Sequence, residues 1–233
     1  MTEFAGGNTA KLYCLRALDE LARAGRIQRI IDLGAGTASL FVPLLRAHPD
    51  VHYVAVEPLA EACRAAERNL AGLSAEVVQG SAWDLDAAPA DAVVSFSVLE
   101  HVFGRPRYFG AVARHLAPGG RVWMNYDSGH FTHPLWRDRV KNVLGRRTWY
   151  QRFVREAELQ ALVAGAGLQI VEAKSFNTEL KIVYRLVPEE SQAAFTERWL
   201  DFELAANELV PPYTDAQAPY FMTRNVVLRR HGD

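Results

Sequence analysis

Apolar residues along this chain alternate between helical and strand-like spacing. Over residues 9–24, Leu12, Cys14, Leu15, Leu18 and Leu21 recur at nearly helical intervals, and Gly25 supplies a stop. Residues 30–34 read as a short buried strand and 40–47 as a helix, with glycines in the turn between them. The alternation continues as strand 51–56, helix 59–71, strand 76–78, strand 92–96, helix 108–116, a turn at Ala117-Pro118-Gly119-Gly120 and strand 121–126. Strands separated by helices pair in parallel, and near-continuous apolar strands suit a sheet covered on both faces. The pattern predicts an α/β fold of the doubly wound, mostly parallel class.

Beyond Tyr126 a polar and aromatic stretch runs to Arg152. A helix follows with Leu159, Leu162, Val163 and Ala166 as one stripe, closed by Gly165 and Gly167, and then strand 168–173. A second insertion holds a helix whose spacing puts Phe195, Trp199, Phe202, Ala206 and Leu209 on one face, read as ordinary core, before a closing strand at 221–228. The whole, 1–233, is read as one domain with a core at 29–126 and insertions at 127–152 and 177–219.

Composition agrees with one globular core: 49% of residues are apolar and 23% charged, enough burial to offset ordering entropy. With 26 Lys plus Arg against 27 Asp plus Glu, the net charge of −1 supplies no global field for nucleic acid or an anionic membrane. Neither a secretory leader nor a bilayer-length apolar run is visible, which points to the cytoplasm. Cys14 and Cys63 lie within helical patterns and read as buried thiols. Abundant Ala and Arg in preference to Lys suggest a bacterial source.

The segment Asp32-Leu33-Gly34-Ala35-Gly36-Thr37-Ala38 joins a strand to a helix at the sheet's carboxyl edge, where open α/β folds hold ligands. Glu57 ends the next strand, where a carboxylate can accept hydrogen bonds from both hydroxyls of a ribose. Here the chain resembles the class I S-adenosylmethionine-dependent methyltransferases, over most of its length. Ser95-Phe96-Ser97-Val98-Leu99-Glu100-His101-Val102 is similar to the family's fourth-strand motif, and Leu116-Ala117-Pro118-Gly119-Gly120 to its post-helix turn. The resemblance implies a Rossmann-like, seven-stranded sheet with the last strand antiparallel, and S-adenosylmethionine as cofactor. By the same resemblance, Asp32 would lie near the methionine amino group, Gly34, Ala35 and Gly36 would flank the cofactor, Glu57 would bind the ribose and Pro58 would shape the adenine pocket. Ser81, Ala82 and Trp83 would occupy the adenine-contact turn, and Ser97 would join the cofactor site. Two departures stand out: Ala38 replaces the third glycine, and Ser81 stands where many relatives carry Asp.

A nicotinamide-binding reading is weaker, because Ser39 occupies the position of its third glycine. A non-catalytic cofactor-binding protein and an aminopropyl transferase of the same fold compete with the methyltransferase reading as well. The expected reaction is methyl transfer to a small-molecule acceptor, O-methylation ahead of N- or C-methylation, because His and Tyr suit hydroxyl activation. The candidates for base or orienter are His101 after the fourth strand and Tyr126, Asp127, His130 and His133 after the fifth. Asp127, His130 and His133 form an open metal-ligand set in principle, but the spacing is not diagnostic and no metal is expected. His48, His52, His115 and His231 read as surface residues.

The insertions carry opposite charge. Arg137, Arg139, Lys141, Arg146, Arg147, Arg152 and Arg155 make the first basic, and Glu189, Glu190, Glu197, Asp201, Glu203, Glu208 and Asp215 make the second acidic. Both leave the sheet where an acceptor enters, so they are expected to pair as a lid. Alternatively, the arginines grip an anionic group on the acceptor, or both segments are simply solvated.

Overall fold

The computed structural model describes residues 8–128, 140, 150–177 and 181–233. Helix α1 (Thr9–Arg23) leads into β1 (Arg29–Leu33), a 3-10 turn (Ser39–Phe41), α2 (Val42–Ala47), β2 (His52–Glu57), α3 (Ala60–Asn69), β3 (Ala75–Gln79) and β4 (Ala90–Phe96). A second 3-10 turn (Leu99–His101), α4 (Arg105–Arg114), β5 (Leu116–Asp127), α5 (Glu156–Gly165), β6 (Leu168–Phe176), α6 (Lys181–Tyr184), α7 (Glu189–Leu209), a third 3-10 turn (Asp215–Gln217) and β7 (Thr223–Arg230) follow.

The strands form one seven-stranded sheet in the order β3-β2-β1-β4-β5-β7-β6. The first five strands pair in parallel, and β7 is antiparallel to both neighbours. Alternating residues divide between two cores. Ile31, Val93 and Met124 pack with Phe109 of α4 and Leu159 of α5. Ile30, Val94 and Trp123 pack on the other face with Leu15 and Leu18 of α1 and Leu44 of α2. The chain leaves β1 and β4 toward opposite faces, which opens a crevice at their shared carboxyl edge.

Three expectations need correction. The face of α7 that is buried carries Thr196, Leu200 and Glu203, whereas Phe202 is 61% and Leu209 86% exposed. The helix packs on the start of α1 and the end of β6, and there it must satisfy polar backbone. Glu203 accepts from the Thr9 hydroxyl and the Asn177 N–H, and Asn207 bonds both backbone groups of Ser175 at 2.8 Å. The Ala117–Gly120 turn is part of β5, as an irregularity in its ladder with β4. Glycine suits position 120, since a Cβ there would crowd the carbonyl oxygens of both Ala117 and Asp91 at 3.0 Å. His115 is buried at 2% exposure against the backbone of Ala82 and Ala87, and burial lowers its pKa. Cys14 and Cys63 are free, buried thiols.

Some described members of the two charged insertions pair with neighbouring helices. Glu197 and Asp201 of α7 face Arg16 of α1, and Arg152 faces Glu158 of α5. Arg137, Arg139, Lys141, Arg146 and Arg147 lie outside the described residues. Among the described residues, no helix is long and apolar enough to cross a membrane.

Arg105, 1% exposed, ties this architecture together. Its guanidinium donates to the carbonyls of Arg152 at 2.6 Å and Phe153 at 3.3 Å and to Glu158 at 2.9 Å, fixing the chain entering α5 against α4. Removing it leaves two carbonyls and one oxygen of Glu158 without their donor, while Arg152 still holds the other oxygen, so Arg105→Ala is expected to lose roughly 2–4 kcal/mol. Urea unfolding checks this, and a loss below about 1 kcal/mol contradicts it.

Candidate functional site

The turn after β1 is built from backbone that side chains resist. Gly34 has φ +87° and Gly36 φ +56°, and the N–H groups of Gly34 and Ala35 both donate to the Val56 carbonyl, at 2.8 and 3.1 Å. A Cβ on Gly34 would sit 2.4 Å from Cγ2 of Val98, so the turns after β1 and β4 are in close contact. Ala38, at the position of the family's third glycine, also adopts a left-handed φ of +54°. That conformation costs an alanine about 1 kcal/mol, which explains why glycine suits the position. Ser97, at the end of β4, has φ +59°. Two strained non-glycine residues therefore flank the same crevice, the pattern of a functional site rather than a passive turn.

Glu57 joins the two sides of this cradle. Buried to 6% exposure, it accepts from the Gly36 N–H at 2.9 Å through one oxygen and from the Leu59 N–H at 3.0 Å through the other. Each carboxylate oxygen keeps a further acceptor site, so the residue fits a pair of vicinal hydroxyls while holding the turn. Pro58 is exposed beside it. The Gly80 N–H donates to the Glu57 carbonyl at 3.1 Å, bringing the next turn alongside. Within that turn Ala82 is buried, the Ser81 hydroxyl donates to Asp84, and the Trp83 carbonyl accepts from Arg114 at 3.0 Å. Asp84 thus brings a carboxylate into the turn where Ser81 stands in place of the family's Asp.

Two buried carboxyl groups lie further along the edge. Asp32, 4% exposed, accepts from the Tyr53 hydroxyl at 2.5 Å, and burial pushes its pKa up to about 7. Glu100, 2% exposed, accepts from the Asp127 N–H at 3.2 Å through one oxygen, while the other has no hydrogen-bond partner. Burial pushes it to about 7 as well. Glu100 does not emerge from sequence as a site residue in its own right, although it stands inside the Leu-Glu-His-Val element. Ser97 is held to β5 by its N–H, which reaches both the carbonyl and the side-chain oxygen of Asn125 at 3.0 Å.

The candidate bases separate. His101 is exposed, and its Nδ1 lies 3.2 Å from the Tyr150 carbonyl. A carbonyl only accepts, so Nδ1 carries the proton and Nε2 is the basic nitrogen of the neutral ring. Tyr126 turns inward instead: it is 1% exposed in the core shared with α4 and α5, its hydroxyl has no partner, and burial raises its pKa. That placement tells against Tyr126 as a base. Asp127 ends β5 at the crevice, and His130 and His133 lie outside the described residues. Among the described residues, no group of three or more His, Cys, Asp or Glu side chains is arranged to hold a metal ion.

Three substitutions test this geometry. Gly34→Ala adds left-handed strain and a clash with Val98, so it is expected to lower stability by more than about 1 kcal/mol, roughly the backbone cost alone. Val98→Ala in that background should recover the part due to the clash, and purely additive losses in thermal melts contradict the contact. Asp32 binds its proton more tightly folded than unfolded. Its contribution to stability is therefore complete below the ordinary carboxylate range and lost as pH rises through about 7. Asp32→Asn is expected to stabilise the ligand-free protein at pH 8 by a few kcal/mol, on the order of the shift's energy, with little gain at pH 4. Equal effects at both pH values contradict the buried, strained carboxyl.

Comparison with known proteins matches this architecture to a family model described as "Methyltransferase domain" over residues 7–173. Among solved structures, an S-adenosylmethionine-dependent methyltransferase from Clostridium acetobutylicum has a TM-score of 0.59 at 14% identity, covering 93% of this chain and 89% of that one. An O-methyltransferase from a trans-AT polyketide synthase multienzyme of Brevibacillus brevis, in complex with S-adenosyl-L-homocysteine, also scores 0.59, at 12% identity over 93% of this chain and 71% of that one. These show the shared fold. A curated relative, ribosomal RNA small subunit methyltransferase G of Mycolicibacterium gilvum, is 38% identical over 88 residues, which are 35% of this chain and 37% of that protein. The chain thus matches just over a third of that relative's length. Since the family match takes in the cradle, the switch point and the turn after β4, the chain belongs to the class I S-adenosylmethionine-dependent methyltransferases.

Proposed function

We propose that this enzyme methylates a hydroxyl on a small-molecule acceptor, with His101 as the base. The observation that carries this reading is the placement of His101: an exposed imidazole at the carboxyl edge whose Nδ1 lies 3.2 Å from the Tyr150 carbonyl, an orientation that makes Nε2 the basic nitrogen. The cofactor supplies a methyl group already activated on a sulfonium. The protein's remaining work is to hold the acceptor oxygen in line, remove its proton and exclude water. In this reading Asp32, Gly34, Ala35, Gly36, Glu57, Pro58, Ser81, Ala82, Trp83 and Ser97 line the cofactor site. The insertions at 127–152 and 177–219 shape the acceptor entrance, and the protein acts in the cytoplasm of a bacterium. The basic first insertion suits an acceptor with an anionic group.

A second reading, methylation of ribosomal RNA, is favoured by the name of the 38% identical relative. The chain's net charge of −1 weighs against it. Incubation with methyl-labelled cofactor and either a small-metabolite extract or ribosomal RNA separates the readings. Label is expected in a small alkali-stable ether, and label confined to RNA contradicts the small-molecule assignment. With the acceptor so identified, His101→Asn is expected to lower kcat by about 100-fold or more while leaving cofactor affinity unchanged. A kcat close to that of the wild type contradicts the base role.

A further inference from the structure

The carboxyl edge of the sheet carries a second recess, away from the cofactor cradle. Arg224 stands at the start of β7, between Tyr126 of β5 and Ser175 of β6. It lines a cavity of about 350 Å³, together with Ser175, Asn207 at the end of α7, and Tyr213 and Gln217 of the segment leading back to β7. Two strand spacings separate β7 from β4, so the recess and the turn that carries His101 lie roughly 10 Å apart along one edge.

An arginine buried this deeply, at 7% exposure, is ordinarily paired in full. The Tyr213 ring covers the face of the guanidinium, with its centre 4.3 Å from Cζ, which fixes the plane and leaves the edge for hydrogen bonds. Nη1 donates to the Ser175 hydroxyl oxygen at 3.1 Å. Nε has no hydrogen-bond partner, because Glu156 Oε2 lies 3.7 Å away, and that oxygen is also buried and unpartnered. A guanidinium that served only to fasten β7 to α5 would close on this carboxylate. Charge narrows what the free edge can receive. Glu156 is at hand, and its N–H donates to Asp215 at 2.8 Å, so a second acid stands behind it. Beside two acids, a single negative charge is accepted more readily than the double charge of a phosphate.

We propose that Arg224 receives a carboxylate of the methyl acceptor, in a two-point contact from Nε and the adjoining terminal nitrogen. The acceptor is then a hydroxy acid whose carboxylate lies roughly 10 Å from the hydroxyl that is methylated. This rests on the reading of the enzyme as a small-molecule O-methyltransferase. Arg224 sets specificity and takes no part in the transfer itself. The competing role is structural, holding β7 to α5 through Glu156. The two roles differ in what they require of the acceptor: contact demands its carboxylate, and fastening does not.

The experiment begins with the wild type and the small products it labels in a metabolite extract. Treated with acidic methanol, the labelled product is expected to gain the mass of a methyl ester, the signature of a carboxyl group. A labelled small product that gains nothing overturns the carboxylate contact. Label that enters no small molecule overturns the small-molecule reading on which it rests. The acceptor acid and its methyl ester are then compared as substrates of the wild type, Arg224→Gln and Arg224→Lys. Arg224→Gln is expected to raise KM for the acid about 10- to 100-fold, the range of hydrogen bonds to a charged group, with kcat within about threefold. KM for the ester should change by less than about twofold, and Arg224→Lys should fall between, since it keeps the charge without the fork. Equal changes for acid and ester, or none for either, overturn the contact. The wild-type product analysis decides even where Arg224→Gln fails to fold, and the ratio of acid to ester makes each folded variant its own control.

Discussion

The structure depends on one carboxylate that serves two turns at once. Glu57 ends β2 and accepts from the backbone of Gly36 in the turn after β1 and of Leu59 in its own turn. Without it the glycine turn would keep only the Gly34 and Ala35 N–H bonds to the Val56 carbonyl, and Gly36 would lose its tie to the adjacent strand. The parallel pairing of β1 with β2, from Arg29 opposite His52 to Leu33 opposite Val56, delivers both ends to the same height. Sheet register thus becomes ligand geometry. The strand order then adds the switch between β1 and β4, which leaves the cradle open on its acceptor side.

Around this point the protein keeps groups that cost stability. Asp32 and Glu100 are buried carboxyls pushed up to about 7, and Ala38 and Ser97 carry left-handed backbone. Such features persist where the surrounding structure enforces them. Here the enforcement comes from Tyr53 on Asp32, Asn125 on Ser97 and the Asp127 N–H on Glu100. A cationic ligand end placed beside Asp32 would recover part of that cost and would couple ligand binding to relief of burial strain.

Much of this is legible in the residues. The short apolar runs, interrupted by Gly34, Gly36 and Gly119, set the βα alternation and the cofactor turn, because strand burial and positive φ leave direct traces in composition. Orientation leaves fewer traces. The apolar spacing of Phe195, Trp199, Phe202 and Leu209 suggests a buried face, but the start of α1 and the end of β6 offer polar groups, and Glu203 and Asn207 meet them. Tyr126 follows the strand's two-residue alternation into the core, whereas its neighbour Asp127 reaches the edge. Glu100 shows in sequence only as one letter of a longer motif. Its relevance arises from the turn after β4, which buries its side chain against the Asp127 N–H at the end of β5.

Calorimetry of S-adenosylhomocysteine binding between pH 6 and pH 8.5, in buffers of different ionisation enthalpy, tests the central claim most directly. If the buried Asp32 carboxyl is the seat of the ligand's ammonium, binding below about pH 7 must expel a proton, and affinity must rise with pH until Asp32 is ionised, with Asp32→Asn removing the trend. Affinity that is flat with pH, with no proton released by the wild type, would contradict it.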